Sequence, residues 1–316
     1  MEMAEVKNLV ERINNNISKV IVGKKEAINY VLAGLLCSGH ILMEDVPGTG
    51  KTMLAKCLAK SLDVEYDRIQ FTPDLLPSDL TGVNIYNQKL SEFVFKEGPI
   101  FTNILLADEI NRATPRTQSS LLECMEEKQV TVDGVTRIMK QPFFVIATQN
   151  PVESEGTFPL PEAQLDRFFM RISLGYPSKN DSLQILNRFE KGIPYESVEK
   201  VATAEEIIAA SKCVLNVRVS DAVKEYIVNI VENTREIRDI VLGASPRACI
   251  ALMRASQALA LIDGRNFATP DDVKKAAIPV LSHRIICRNR IVENSTAASE
   301  EAIRKVLNTV EAPVDK

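Results

Sequence analysis

A short glycine-containing segment, Val46 to Thr52 (VPGTGKT), has the residue types that bind a polyphosphate. Gly48 and Gly50 would let backbone N–H groups approach phosphate oxygens without a side chain in the way. Lys51 would neutralise the β- and γ-phosphates, and the Thr52 hydroxyl would be a ligand of Mg²⁺. The segment therefore predicts a nucleotide-phosphate loop between a strand and a helix that begins at Lys51.

The residues before this loop depart from the general pattern G-x-x-x-x-G-K-[ST]. Asp45 stands at the first glycine position, and Glu44 precedes it. Asp tolerates unusual backbone turns better than most residues, so we expect Asp45 to turn the chain at the strand exit with its carboxylate directed away from the phosphates. On this motif alone, an ordinary glycine-containing turn stays open as an alternative.

Two carboxylates follow further along the chain, at the end of the apolar run ILLAD. Asp108 would hold Mg²⁺, directly or through water, and Glu109 would polarise the water that attacks the γ-phosphate. An acidic strand end in solvent is the simpler alternative and is common for a single dipeptide of this kind. The phosphate loop earlier in the chain favours the catalytic interpretation.

Three more polar residues have positions that phosphoryl transfer could use. Asn150 follows the run FFVIATQ and could position the attacking water, although alone it would suit a turn. Arg167 follows a short helical segment, where it could stabilise transition-state charge on a neighbouring subunit's nucleotide or belong to a structural ion pair. Arg247 lies in the first turn of a helix, where a cation opposes the helix dipole. A bound phosphate would explain Arg247, and an exposed helix arginine is the alternative.

Alternating strands and helices are predicted around these residues, which indicates an α/β sheet. The predicted strands are HILME, YDRIQF, NILLAD, FFVIATQ and FFMRISL, and the helices between them include Lys51 to Ser61 and RTQSSLLECMEE. Two hairpins interrupt the pattern. The first is GVNIYNQKLSEFVFKEG, and the second is QVTVDGVTRIMK, with a strong turn signal at Asp133 and Gly134.

The second part of the chain is predicted to be helical. After GYPSKND the strand pattern stops, and capping boxes are predicted at Thr203 with Glu206 and at Thr269 with Asp272. Pro177 and Ser178 are the expected hinge. We therefore predict an α/β domain over residues 1–177 and a helical domain over residues 178–316.

Composition argues against several other classes of protein. The 316 residues suffice for two domains, and 45% hydrophobic with 25% charged residues is ordinary for a globular protein. No apolar run is long enough to span a membrane, and the charged N-terminal segment lacks a signal-peptide core. Six scattered cysteines and two histidines argue against a disulfide framework or zinc site and favour the cytoplasm. The net charge of −4 argues against a chain that is basic as a whole and binds nucleic acid, and it leaves a local basic patch open.

Taken together, these motifs resemble the MoxR family of AAA+ ATPases over nearly the whole chain. The matching stretches are EDVPGTGKT, LPSDLTG, EGPIF, LLADEINRATPRTQSSLLECMEE, ATQNP, EGTFPLPEAQLDRF and SPRA. The resemblance implies a AAA+ P-loop NTPase domain, with a parallel sheet sandwiched by helices, followed by an all-α lid domain. In the family's own variant of the loop, acidic residues are frequent at the positions of Glu44 and Asp45.

The resemblance also implies ATP and Mg²⁺ as cofactors and a role for each candidate residue. Gly48, Thr49, Gly50, Lys51 and Thr52 would form the Walker A loop, followed by Met53 as a further nucleotide contact. Asp108 and Glu109 would form Walker B, with Thr52 and Asp108 as metal ligands, Asn150 as sensor 1, Arg167 as the arginine finger and Arg247 as sensor 2. Because IVGKKEAI resembles the segment that lines the adenine, Val22 and Gly23 are expected at the base.

The function implied by the resemblance is that of an ATP-hydrolysing ring, a hexamer, which remodels or activates partner proteins. The implied partners are von Willebrand factor A domain proteins, in the maturation of protein complexes or metalloenzymes, and the two hairpins would line the pore or one face of the ring. A subunit of a magnesium chelatase and a nucleic-acid-linked AAA+ motor remain as alternatives. The stretches DEINRATPRTQ and LPEAQLDRF favour MoxR, and the negative charge argues against a nucleic-acid partner.

Overall fold

The protein is described by a computed structural model that covers residues 1–150, 156–190, 192–288 and 295–313. Pro151 and Glu155, which belong to two of the family-like stretches, lie outside the described residues. The strands are β1 Ile41–Glu44, β2 Tyr66–Gln70, β3 Gly82–Asn87, β4 Glu92–Glu97, β5 Ile104–Asp108, β6 Gln129–Val132, β7 Val135–Ile138, β8 Phe144–Gln149, β9 Met170–Ile172, β10 Ile240–Leu242 and β11 Ile286–Cys287. The helices are α1 Met3–Ile17, α2 Lys25–Leu36, α3 Lys51–Ser61, α4 Pro77–Thr81, α5 Pro115–Glu127, α6 Glu162–Leu165, α7 Lys179–Glu190, α8 Ala204–Val214, α9 Asp221–Asn233, α10 Pro246–Ile262, α11 Pro270–Leu281 and α12 Ser295–Thr309.

A parallel sheet of five strands, in the order β2-β5-β8-β1-β9, forms the centre of the α/β domain. All five strands predicted from the apolar runs are confirmed. In the strand interiors, alternate side chains enter two different cores, as the two-residue period of a strand requires. Ile41 and Met43 of β1 face one core, and Leu42 faces the other. The three central strands β5, β8 and β1 are apolar along most of their length because both of their faces are covered.

Parallel pairing brings the carboxyl ends of β5, β8 and β1 to one edge of the sheet, with β8 in the middle. The phosphate loop follows β1, the acidic pair closes β5, and Asn150 follows β8. Ligands of open α/β sheets bind outside this edge. The strand order therefore gathers residues that are far apart in sequence.

The two predicted hairpins are confirmed, and they pack against each other. β3 pairs with β4 and β6 pairs with β7, and the second turn has positive φ at both Asp133 and Gly134. Asn84 donates a hydrogen bond of 2.5 Å to Asp133, and the Arg137 guanidinium lies 3.6 Å from the centre of the Phe95 ring. These contacts make one composite surface, which we call the hairpin pair (residues 82–97 and 129–138).

The second part of the chain is helical, from α7 at Lys179, directly after the predicted hinge. The capping boxes are confirmed: Thr203 N donates to Glu206 at 2.9 Å, and Thr269 N donates to Asp272 at 2.8 Å. The expectation that strands stop here needs one correction, because β10 and β11 form a short antiparallel ribbon. Within the described ranges, no helix is long and apolar enough to cross a membrane.

The lid and the α/β domain share one continuous hydrophobic core. Buried side chains of α1 and α2, such as Ile13 and Ile28, belong to the same cluster as Leu58 of α3 and as Leu252 and Val273 of the lid. The lid position is therefore fixed partly by N-terminal helices that belong to the other domain.

Candidate functional site

The phosphate loop has the backbone of an anion cradle. Gly48 and Gly50 adopt φ of +82° and +97°, values that L side chains rarely adopt. A Cβ added at Gly48 would meet no heavy atom within 4 Å, so backbone geometry and not crowding requires glycine there. Gly50 is also the N-cap of α3, whose first N–H groups have no partner within the helix. This loop fits a bound phosphate chain.

Lys51 extends from the start of α3 back over the loop. Its Nζ donates to the backbone oxygens of Asp45 at 2.7 Å and Val46 at 3.4 Å. Burial lowers the pKa of Lys51, and the carboxylates of Asp45, Asp108 and Glu109 act in the opposite direction. An ammonium group that is partly desolvated beside the loop is suited to a phosphate oxygen.

The other loop residues occupy the surroundings of this lysine. Thr49 Oγ1 donates to the Val46 carbonyl at 3.3 Å, which closes the turn. Thr52 is the second residue of α3 and is partly exposed, and the Met53 side chain packs on the core beneath the helix. Thr52 is thus available to a metal ion that accompanies the phosphates.

Asp108 and Glu109 are held at the end of β5 by the neighbouring strand β8. Thr148 Oγ1 donates to Asp108 Oδ1 at 2.5 Å and accepts from the Glu109 backbone N–H at 2.9 Å. Glu109 adopts a left-handed conformation, with φ 56° and ψ 51°, which is uncommon for a residue with a Cβ. One threonine therefore fixes the carboxylate of Asp108 and the backbone of Glu109, at the cost of local backbone strain. Asn150 is buried at the end of β8, on the same edge.

Three polar side chains around these carboxylates were missed by the sequence analysis. Arg68 donates to Asp108 Oδ2 through NH2 at 2.7 Å and through Nε at 3.2 Å. Glu109 Oε2 accepts from Gln70 Nε2 at 2.8 Å and from Arg112 NH1 at 3.1 Å. The sequence signal for Arg68 and Gln70 is their two-residue spacing in β2, which places them on one face of the strand beside β5.

The segment expected at the adenine lies beside the phosphate loop. Val22 is buried, and a Cβ at Gly50 would lie 3.8 Å from Ile21 Cδ1. Gly23 has φ +70°, and a Cβ there would meet the Asp181 carboxylate of α7 at 2.5–2.6 Å. Residues 21–23 therefore run between the loop and the first lid helix, a place compatible with the base.

The two candidate arginines lie together on one carboxylate. Arg167 Nε contacts Glu126 Oε2 at 3.1 Å, and Arg247 NH2 contacts Glu126 Oε1 at 3.6 Å. Arg247 lies in the first turn of α10, as predicted, directly after Pro246. The structure thus places Arg247 beside Arg167. Arg247 is not among the residues described above as contacting Lys51, Asp108 or Glu109.

A buried lid arginine, which the sequence analysis also missed, fixes the segment around Arg167. Arg284 Nε donates to Asp166 Oδ1 at 2.7 Å, and its other nitrogens donate to the backbone oxygens of Asp166, Phe168, Phe169 and Val280. Burial lowers the pKa of Arg284, while Asp166 opposes the shift. Every acceptor except Val280 lies within two residues of Arg167.

The expectation that Asp45 adopts an unusual backbone turn is not confirmed. Asp45 is not among the residues with positive φ, so the turn does not require its tolerance for unusual angles. Its carboxylate does point away from the loop, toward residues 173–175 after β9. The first glycine of the general pattern is replaced here by a side chain that makes tertiary contacts.

Comparisons with known proteins match both parts of the chain. Residues 40–170 match the family described as "ATPase family associated with various cellular activities (AAA)", and residues 232–306 match the AAA lid domain. The chain is 51% identical to the uncharacterized protein YeaC of Bacillus subtilis over 98% of this chain and 96% of that protein. It is 39% identical to Chaperone MoxR1 of Mycobacterium tuberculosis over 98% and 84%.

A solved structure from Cytophaga hutchinsonii, assigned as an ATPase, is also similar. It has a TM-score of 0.90 and 41% sequence identity, and the match covers 99% of this chain and 97% of that one. Because the agreement extends over nearly the full length of these proteins and is not confined to the phosphate loop, this chain belongs to the MoxR family of AAA+ ATPases, enzymes that hydrolyse ATP.

Proposed function

We propose that the chain works as a ring, a hexamer by analogy with its family, with each nucleotide between two subunits. The observation that supports this most directly is the shared contact of Arg167 and Arg247 with Glu126. The Arg247 side chain is 63% exposed and that of Arg167 is 33% exposed, so a neighbour could reach both. Phosphates from a neighbouring subunit would compete with Glu126 for these cations. Such head-to-tail contacts are the kind that closes a ring.

Within one subunit, the proposed roles follow from the placement of the side chains. Bound ATP supplies the phosphoryl group, and bound Mg²⁺ neutralises phosphate charge. Lys51 would hold the phosphates, with Thr52 and Asp108 as the metal ligands. Glu109, whose carboxylate is oriented by Gln70 and Arg112, would accept a proton from the attacking water, which Asn150 would help to orient.

We further propose that hydrolysis drives the remodelling of partner proteins in the cytoplasm, since one relative is named a chaperone. The hairpin pair is the surface best suited to grip a partner. It exposes Tyr86 and Phe93, whose ring centres lie 5.4 Å apart, together with Ile138. Exposed aromatic side chains anchor many protein interfaces. Proteins with a von Willebrand factor A domain are the proposed partners, by family resemblance.

ATPase activity measured against protein concentration tests the ring. The specific activity should rise with concentration as subunits assemble. Arg167→Ala should lower turnover roughly 10³-fold in assembled protein, because one transition-state cation is removed. Glu109→Gln should bind ATP but turn over about 10²-fold or more slowly, because the general base is lost. Arg218→Ala and Glu225→Gln, exposed lid positions, are matched controls. Specific activity independent of concentration, with an active Arg167→Ala, would contradict the ring.

The same Glu109→Gln variant tests the partner role. Held with ATP, it should retain a von Willebrand factor A domain protein from a lysate of the source organism, and Phe93→Ser in that background should release it. Retention that is equal with and without Phe93→Ser would exclude the hairpin pair as the contact surface.

A further inference from the structure

The carboxylate of Asp45 is bound to the segment that leads into the lid. Its side chain is buried, at 5% exposure. Oδ1 accepts from Ser173 Oγ at 2.7 Å and from Gly175 N at 2.9 Å, and Oδ2 accepts from Leu174 N at 2.6 Å. Residues 173–175 connect β9 to α7, the first lid helix. One side chain therefore fixes three successive residues of this connection.

The backbone of the same residue is bound to the phosphate loop. Lys51 Nζ donates to the Asp45 carbonyl at 2.7 Å, and this is a charge-assisted hydrogen bond. The main chain of Asp45 thus contacts the phosphate-binding lysine, and its side chain contacts the connection to the lid. A glycine at this position, as in the general loop pattern, would keep the first contact and lose the second.

Glu44 makes a parallel connection on the other side of β1. Its Oε2 contacts Arg171 NH1 of β9 at 3.1 Å and accepts from Thr296 Oγ1 of α12 at 2.9 Å. Both side chains of this ion pair are nearly buried, and burial lowers the pKa of Arg171 while Glu44 and Glu300 oppose the shift. Both acidic residues before the loop therefore contact β9 or the residues that follow it, and Glu44 also contacts a lid helix.

We propose that Asp45, supported by Glu44, is the positioning residue through which phosphate binding at Lys51 is transmitted to the lid. A phosphate competes with the carbonyls of Asp45 and Val46 for the Lys51 ammonium. When Lys51 turns to the phosphate, residue 45 loses its strongest main-chain partner and can shift. The hydrogen bonds of its carboxylate carry that shift to residues 173–175 and on to α7. The free energy of this coupling comes from the different partners that Lys51 has with and without bound phosphate. Any coupling between two sites requires such a difference.

The chemistry of the contact favours an ionised aspartate over any isostere. All three partners of Asp45 are donors, and a carboxylate has only acceptor atoms. An asparagine of the same shape would point an NH₂ group at one of these donors. Asp45→Asn therefore replaces one of the three hydrogen bonds with a donor–donor contact, with almost no change in volume. Ser173→Ala removes one of the three hydrogen bonds and leaves both backbone donors paired.

Hydrogen exchange of the full-length protein, with and without a non-hydrolysable ATP analogue and Mg²⁺, tests the proposal. The readout is deuterium uptake in α7 and α12. Residues 174 and 175 are not used, because their amides contact the Asp45 side chain and would change in the variant directly. In the unaltered chain, the analogue should change uptake in both helices. In Asp45→Asn, a fluorescent ATP analogue should bind within about threefold of normal, while the change in α7 falls by at least half. Asp221→Asn, the same substitution at a fully exposed lid position, should behave normally.

Each outcome has a distinct meaning, since the inference rests on the phosphate loop as the ATP site. If Lys51→Ala binds nucleotide as well as the unaltered chain, the site assignment fails and the inference fails with it. If nucleotide binds the unaltered chain and α7 does not respond, only the inference is overturned. A full α7 response in Asp45→Asn also overturns it. Should Asp45→Asn not fold, Ser173→Ala decides: an unreduced α7 response overturns the proposal, and a partial one supports it.

Discussion

Each charged residue that would act on the nucleotide has another partner within the same chain. Lys51 lies on two backbone carbonyls, Asp108 is paired with Arg68, and Arg167 is paired with Glu126. These contacts satisfy the charged groups of a partly buried site, where an unpaired charge would be costly. Binding of ATP and Mg²⁺ at these residues would therefore exchange partners, and the affinity would reflect the difference in free energy between the two sets of contacts.

Arg68 gives the clearest prediction at this scale. Its guanidinium occupies Asp108 Oδ2, the oxygen that is not held by Thr148. Replacing Arg68 with Met removes a cation that competes with Mg²⁺ for that oxygen. The ion pair is half exposed on the arginine side, so its contribution is about 0.2–1 kcal/mol. We expect the Mg²⁺ concentration for half-maximal ATPase activity to fall by a factor of about 1.4 to 5.

The measurement is a Mg²⁺ titration of ATPase activity at saturating ATP. Arg12→Met, which removes an exposed ion pair with Glu206, is the matched control and should leave the titration unchanged. A higher Mg²⁺ requirement in Arg68→Met would mean that Arg68 orients Asp108 for the metal and does not compete with it.

At the scale of elements, β9 is held at both ends. The residues before it are bound by Arg284 of the lid, and the residues after it are bound by Asp45. β9 is short and pairs with β1 on one side only, so the sheet alone fixes it weakly. Contacts outside the sheet therefore determine the position of Arg167, which lies shortly before the start of β9.

Replacing Arg284 with Met should affect both stability and turnover. The change leaves the Asp166 carboxylate and several backbone oxygens without their donor, and breaking a buried ion pair in this way costs about 3 kcal/mol or more. Turnover should fall while ATP affinity is kept, because the segment around Arg167 loosens and the phosphate loop does not. Urea denaturation and a comparison of kcat with nucleotide affinity measure the two effects.

A double variant and a control variant test whether the unpaired Asp166 carboxylate causes the loss of stability. Asp166→Leu combined with Arg284→Met should recover part of the lost stability, because the unpaired carboxylate is gone. Arg304→Met, at an exposed ion pair of α12, is the control and should change neither quantity. If Arg284→Met alone unfolds as the unaltered chain does, the contacts around Arg167 do not stabilise the fold.

At the scale of the whole molecule, local patterns predicted the elements but not their assembly. The apolar runs and the turn at Asp133 and Gly134 identified the strands, because these signals lie within a few residues. The order β2-β5-β8-β1-β9 has no such local signal. The contacts of Asp45 with residues 173–175, and of Arg284 with Asp166, join residues more than a hundred positions apart. Sequence suggested an unusual aspartate, and only the fold shows what it binds.

The lid ribbon was missed for a related reason. β10 and β11 have three and two residues, too short for an alternating pattern to develop, and they pair across more than forty intervening residues. The helices of the lid were predictable because capping boxes are local, as at Thr203 and Thr269. Local motifs and the resemblance to the family together predicted the candidate residues, and the shared contact of Arg167 and Arg247 with Glu126 became visible only in three dimensions.

The stability of the molecule should fall in mild acid because its only two histidines are buried and neutral. Burial lowers the pKa of His40 to about 4, with Lys128 acting in the same direction. Burial, Arg284 and Arg171 lower the pKa of His283 well below its usual value. In the unfolded chain, both would titrate near pH 6.5. The unfolded state therefore binds more protons below that pH, so this stability is complete above it and is lost as the pH falls toward 4.

Urea denaturation between pH 7.5 and 5 measures this loss, since most carboxylates stay ionised in that window. Each buried histidine should contribute a slope of up to roughly 1.4 kcal/mol per pH unit in the free energy of unfolding. His40 links β1 to β8 and α5, with Nδ1 accepting from Val145 N and Nε2 donating to the Met125 carbonyl. His40→Gln should therefore lower stability at pH 7.5 and also flatten the slope. A slope that is unchanged in both His40→Gln and His283→Gln would contradict the assignment, because no other side chain normally titrates in this range.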